Sequence, residues 1–186
     1  MRPVTSLARI SLLAVALLLG ACTGAPEGVE PVRGFELDRY LGTWYEIARL
    51  DHSFERGLVD VSARYSRRDD GGVQVVNRGY SPEKGEWREA VGRAAFVAGE
   101  DVGHLKVSFF GPFYGAYVII ELDREGYQYA LVAGPDRDYL WLLARTPSLD
   151  PALVERLVAR AAALGFATDR LIYPGHGLAP GDGDQG

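Results

Sequence analysis

Few side chains in this 186-residue chain are equipped for covalent chemistry, and those few are scattered. There is one cysteine, Cys22, and there are three histidines, His52, His104 and His176. A lone thiol closes no internal disulfide and supplies no multi-cysteine metal site. None of the histidines has a nucleophile at a recognisable spacing, and each reads as solvated: one in a loop, one at a strand start, one in the tail. Asp69-Asp70 and Asp136-Arg137-Asp138 fall among turn residues, where aspartate shapes the backbone. No glycine-rich phosphate loop opens a helix. The residues therefore point to no catalytic group, no cofactor and no metal. What the chain has in quantity is aromatic surface, 7 Phe, 10 Tyr and 3 Trp, which suits a large apolar interior.

Cys22 takes its meaning from its neighbours. Arg2 and Arg9 precede an apolar run over residues 10–19. That run is about half the length a bilayer span needs, so it reads as a secretory signal. It ends in Leu19-Gly20-Ala21-Cys22, which resembles a bacterial lipobox. The resemblance implies cleavage before Cys22 and acylation of its thiol. Two or more chains, at roughly 0.8 kcal/mol per buried methylene, anchor stably. Thr23 in place of aspartate favours, by analogy with lipoprotein sorting, the outer membrane on its periplasmic side. The expected organisation is a signal at 1–21, a lipidated cysteine and linker at 22–34, one folded domain at 35–174 and a disordered tail at 175–186. The net charge is −5, and without the signal, which carries two arginines and no acid, it is −7. That excess argues against nucleic acid or an acidic membrane surface as an electrostatic partner of the whole molecule.

The elements that would build the interior follow in order. Residues 23–34 carry Pro26, Pro31 and glycines without apolar periodicity and read as a linker. Leu37, Tyr40 and Leu41 sit at helical spacing, and Gly42 breaks that turn. Eight strands are predicted at 43–50, 58–68, 73–80, 86–97, 104–110, 116–123, 127–133 and 138–145, separated by short turns such as Asp69-Asp70-Gly71-Gly72. Asp150 caps a helix that starts at Pro151, carries one apolar stripe (Leu153, Val154, Leu157, Val158, Ala161, Leu164) and stops at Gly165. A short ninth strand is expected at 166–173. The pattern alone fits either an antiparallel up-and-down barrel or a β-sandwich.

Gly42-Thr43-Trp44-Tyr45 resembles the first signature of the lipocalins, and segments 38–58, 108–117 and 134–147 are similar to bacterial outer-membrane lipocalins and, more distantly, to apolipoprotein D. The resemblance implies an all-β fold, an eight-stranded barrel with one helix packed outside. It makes Trp44 the floor of that barrel. The second lipocalin signature is degraded to Leu122-Asp123-Arg124 and Tyr129; the third is present as Leu143-Ala144-Arg145-Thr146-Pro147 and implies that Arg145 packs across Trp44.

That pair sets the phase, because side chains alternate along a strand. If Arg145 faces the axis, so do Leu143, Trp141 and Tyr139; if Trp44 does, so do Glu46 and Ala48. Similarity to apolipoprotein D adds Tyr65 and Val107, and alternation adds Phe109. A lumen of this composition suits an acyl chain, and the expected ligand is a fatty acid or a lysophospholipid. Glu46 would repel a fatty-acid carboxylate and attract a cationic head group, which tips the expectation to the lysophospholipid. Phe113 and Tyr114, between two glycines of the loop that joins the fifth and sixth strands, read as a lid, a membrane contact or a homodimer contact. The favoured function is a lipid-anchored binding protein. The alternatives are a lipid-modifying enzyme on the same barrel and an adaptor with a closed interior.

Overall fold

The computed structural model describes residues 23–179. The signal at 1–21, Cys22 and the end of the tail lie outside the described residues. Eight strands close on themselves: β1 (Gly42–Arg49), β2 (Val59–Arg67), β3 (Val73–Ser81), β4 (Glu86–Phe96), β5 (His104–Ser108), β6 (Gly115–Leu122), β7 (Tyr129–Ala133) and β8 (Leu140–Ala144). Each is antiparallel to the next, and β8 returns to β1 through Tyr45↔Ala144 and Glu46↔Leu143. The sheet is a barrel and not a sandwich, with strand ends within two residues of those expected. A one-turn helix, α1 (Leu37–Tyr40), precedes β1, and α2 (Pro151–Ala163) follows β8.

Period-two alternation sorts the apolar side chains into two layers. Trp44, Tyr65, Val75, Leu105, Ile119, Val132 and Leu143 point to the axis, with Leu37 and Tyr40 of α1 closing the end where β1 begins. Ala48, Val118, Leu131, Leu140 and Leu142 face outwards and are covered by Leu157 and Ala161 of α2 and by Phe166. One apolar stripe is enough for α2 because only one side of it meets the barrel. Its start is fixed by the Asp150 carboxylate, which accepts from the amides of Ala152 and Leu153 at 3.0 and 3.2 Å.

Three segments depart from the expectation. Residues 23–34 are not a free tether. Val29 is buried; the Val32 amide donates to the Ile119 carbonyl at 2.8 Å, and the Val32 carbonyl accepts from Gly103 at 2.9 Å. The docking runs largely through backbone groups, so side-chain periodicity carries no sign of it.

The ninth strand is reduced to a 3-10 turn at Thr168–Arg170 and one bridge between Ile172 and Arg49. The pairing of β1 with β2 ends at Tyr45 and that with β8 continues to Arg49, so only a short edge of β1 is left to pair. The tail beyond it, expected to be disordered, fills the gap between β1 and β2 as far as residue 179. The Asp60 carboxylate accepts from the amides of Gly177, Leu178 and Ala179, and His176 Nε2 lies 2.9 Å from the Glu46 carbonyl. His176 is therefore held in the seam, and the solvated reading of it is corrected.

Candidate functional site

The closed end is built around Trp44, which is fully buried and donates its indole N–H to the Tyr40 carbonyl at 2.8 Å. The Arg145 guanidinium carbon lies 4.0 Å from the centre of a Trp44 ring. Its N–H groups go to backbone carbonyls: Nη1 to Thr43 at 3.0 Å, Nη2 to Arg39 at 2.7 Å and Nε to Tyr127 at 3.2 Å. Gly42 has φ +96°, and a Cβ there would stand 3.3 Å from Arg145 Nη1, so glycine is needed for both its conformation and its size. Above this floor the Tyr117 hydroxyl meets those of Tyr40 and Tyr65, each at 2.8 Å. Burial pushes all three phenols up, so they stay neutral and the chain of hydroxyls completes itself.

Phase along β8 runs as alternation requires: Trp141 and Leu143 join the inner layer, Leu140 and Leu142 the outer. Along β1 it does not. The register slips by one residue between Glu46 and Ala48, so that Glu46 faces Leu143, Ala48 faces Leu142 and Arg49 faces Trp141. This is a β-bulge, which reverses the side-chain direction beyond it. Ala48 is consequently packed outside beneath α2 and is withdrawn from the lumen set. Arg49 takes the inward place.

Arg49 is 1% exposed and lies between two carboxyl-bearing residues. Its Nη1 is hydrogen-bonded to the Glu46 carboxylate, and its Nη2 donates to the Glu55 carbonyl at 2.9 Å. Glu55 comes from the loop between β1 and β2, and its Oε2 accepts from Trp141 Nε1 at 3.0 Å. Two carboxyls against one guanidinium leave one in excess, and burial disfavours a second negative charge. Burial first, then Glu55, therefore pushes Glu46 up to about 8 against the pull of Arg49, and Glu55 is raised as well, chiefly by burial. His52, on the same loop, is buried and stacked on Tyr139 with ring centres 4.7 Å apart, and lies 4.8 Å from Trp141. Burial, with Arg49 second, lowers its pKa to about 4, so it is neutral at pH 7. The solvated reading of His52 is corrected: the loop folds inwards over the mouth. Tyr139 stands just before β8 in this stack, not on the strand itself.

On the opposite wall Val107 and Phe109 point inwards and pack on the inner layer. Gly92 makes room for Phe109, since a Cβ there would come within 2.8 Å of the ring. Tyr117 faces Leu105 across β5 and β6 and completes this wall. Tyr65 belongs to the hydroxyl chain lower down. Arg49, His52, Glu55 and Tyr117 are the lumen residues that the sequence did not single out. Tyr117 was within reach, because alternation on β6 follows from that on β5.

A closed eight-stranded barrel with a glycine-supported tryptophan floor, a crossing arginine and one external helix is the lipocalin architecture. The family model for a lipocalin-like domain matches residues 35–176, and the chain belongs to that family. Among its relatives are the outer membrane lipoproteins Blc of Vibrio cholerae, 58% identical over 164 residues (88% of this chain, 96% of the relative), and of Escherichia coli, 51% identical over 166 residues (88% and 93%). Mouse apolipoprotein D is 33% identical over 147 residues (75% of this chain, 74% of the relative). Insecticyanin from the tobacco hornworm shares the fold with a TM-score of 0.65 at 21% identity, covering 81% of this chain and 86% of that one. The chain is thus a lipoprotein of the bacterial outer membrane, on a fold that holds hydrophobic ligands.

Proposed function

We propose that the protein is a lipid-anchored carrier that holds one single-chain lipid, a lysophospholipid or a fatty acid, in the barrel at the periplasmic side of the outer membrane. The carrying observation is a contrast of exposure along the lumen. Val107, Phe109 and Trp141 point to the axis yet are only partly buried, whereas Trp44, Val75, Leu105 and Leu143 are buried. Side chains cover one another fully at the floor and less completely above it, which supports a space for a ligand there. An apolar, aromatic cavity with few polar groups suits an acyl chain. Arg49 is already engaged by Glu46 and the Glu55 loop, so among the described residues the mouth has no spare cation for a free carboxylate, which favours a zwitterionic head group.

The test is a titration of delipidated protein with lysophosphatidylcholine and with oleate, read by tryptophan fluorescence. The expected result is saturation near one lipid per barrel. Val107→Glu, which places a charge on the lumen wall, abolishes it; Val97→Glu, at a residue 44% exposed outside the barrel, leaves it intact. Equal binding by both variants would overturn the reading. Mass spectrometry of the recovered lipid distinguishes carrier from enzyme: intact lipid is expected, and steady conversion to products would replace the carrier with an enzyme.

A further inference from the structure

We infer that the outer flank of β4 and β5, with the loop that follows β5, is a second lipid contact: a face on which the barrel lies against the bilayer, with phospholipid phosphates as its polar ligands. It rests on the lipoprotein reading but not on the content of the lumen.

The loop after β5 exposes two phenylalanines, Phe110 at 80% and Phe113 at 78%. A tight turn joins them, the Phe113 amide donating to the Phe110 carbonyl at 3.1 Å. Val91, 55% exposed, lies on the neighbouring strand. Exposed aromatics in a turn carry a cost in water that a lipid interface removes. Between Val91 and the loop lies a cleft of about 310 Å³ lined by Arg68, Gln74, Arg93, Ser108 and Gly111 among others.

The cations sit where phosphates would. Arg93 approaches the Tyr114 ring at 5.8 Å and Lys106 approaches it at 5.1 Å. Neither has a carboxylate partner among the described residues, whereas Arg68 is held by Asp70 at 2.7 Å. Apolar side chains flanked by unpaired cations match the sequence of layers at a bilayer surface, acyl chains below and phosphates above. The net charge of the chain is acidic, so this local arrangement, not the overall field, provides the match.

The anchor leaves from the same flank, which argues for a membrane over another occupant. Thr23, the first described residue, offers its carbonyl to His104 Nε2 at 2.8 Å. His104, Lys106 and Ser108 share the outer face of β5, because alternate residues do. The acylated Cys22 is one residue before Thr23. At about 3.3 Å per residue the four steps from His104 to Ser108 cover roughly 13 Å. The docked segment 23–34 fixes this relation. Anchor and phenylalanines thus reach one plane together, and the tether raises the effective concentration of an otherwise weak contact.

The experiment uses the full lipidated protein in vesicles of phosphatidylethanolamine and phosphatidylglycerol whose acyl chains carry bromine, a tryptophan quencher. Phe113→Trp reports the loop, and Tyr173→Trp, at a site 56% exposed beside the β1 edge, is the reference. Severalfold stronger quenching at 113 than at 173 is expected, and Arg93→Glu with Lys106→Glu should reduce it while the circular dichroism spectrum is unchanged. Excess inorganic phosphate should leave the quenching in place if the phosphates are those of the bilayer. Equal quenching at 113 and 173 overturns the proposal. A dimer in detergent that Phe110→Ser and Phe113→Ser dissociate, without loop quenching in vesicles, also overturns it and makes the occupant a second copy. Loss of lumen binding with loop quenching retained would refute the carrier and leave this inference standing.

Discussion

The two ends of the barrel each hold an arginine, half-buried at the floor and fully buried at the mouth, and they hold it differently. At the floor, Arg145 spends its N–H groups on three backbone carbonyls and its face on Trp44. None of those partners can lose or gain a proton in the physiological range. At the mouth, Arg49 meets the Glu46 carboxylate and a loop carrying Glu55 and His52, all titratable. Its Nε, buried, has no hydrogen-bond partner among the described residues, and neither has His52 Nε2. The first arrangement is complete and indifferent to pH. The second is electrostatically unfinished, which suits a place where a ligand enters.

The sharpest way to break this contrast is at the floor. Trp44→Ala should destabilise by about 3–5 kcal/mol in urea unfolding, as large-to-small core substitutions do, and by the same amount at pH 5 and pH 8. Arg145→Ala alone should cost less, and the double variant should fall short of the sum because the groups touch. An additive double loss would separate the pair.

At the mouth, Arg49→Met should cost about 3–4 kcal/mol at pH 8, because it strands two buried carboxyls. The loss should shrink at pH 5, where Glu46 is protonated. A pH-independent loss would mean that Arg49 matters for packing alone.

The smallest effect is the pH slope of the intact protein. Glu46 has a raised folded pKa, so the native state holds its proton longer, and stability falls as pH climbs from about 4.5 to about 8. His52 has a lowered one, near 4, so its contribution is lost as pH falls from 6.5 through 4. The two oppose each other below 6.5. Between 6.5 and 8 the histidine no longer opposes the raised carboxyls, Glu46 foremost, and a gentle decline is expected there, flattened in Glu46→Gln. A flat wild-type profile over that window would refute the assignment.

The same contrast governs what could be read from sequence. The floor was legible because it is made of backbone rules and rigid residues: a glycine that must take positive φ, a tryptophan, and an arginine at the end of the last strand. Alternation from that anchor phased β8 correctly at Trp141, Leu142 and Leu143. It failed on β1 beyond Glu46, because a bulge inserts one residue without a sequence mark and turned Ala48 out and Arg49 in. Residues 51–57 read as a solvated loop on hydropathy, yet Arg49 and Trp141 supply partners that bring Glu55 and His52 indoors. Burial of polar groups depends on such distant partners, and those are not local information. The docked segment before α1 and the seam-filling tail were missed for a related reason, since their contacts run largely through main-chain groups.

The slip between Glu46 and Ala48 has a consequence for how the chain can vary. A strand with unbroken alternation ties its two ends together: one inserted or deleted residue turns every later side chain over. Here the turnover has already happened, within one strand, between floor and mouth. Substitutions at Trp44 are therefore tested against the floor, and those at Arg49 against the mouth, with little shared between them. A lineage can retune what the opening accepts while inheriting its foundation unchanged.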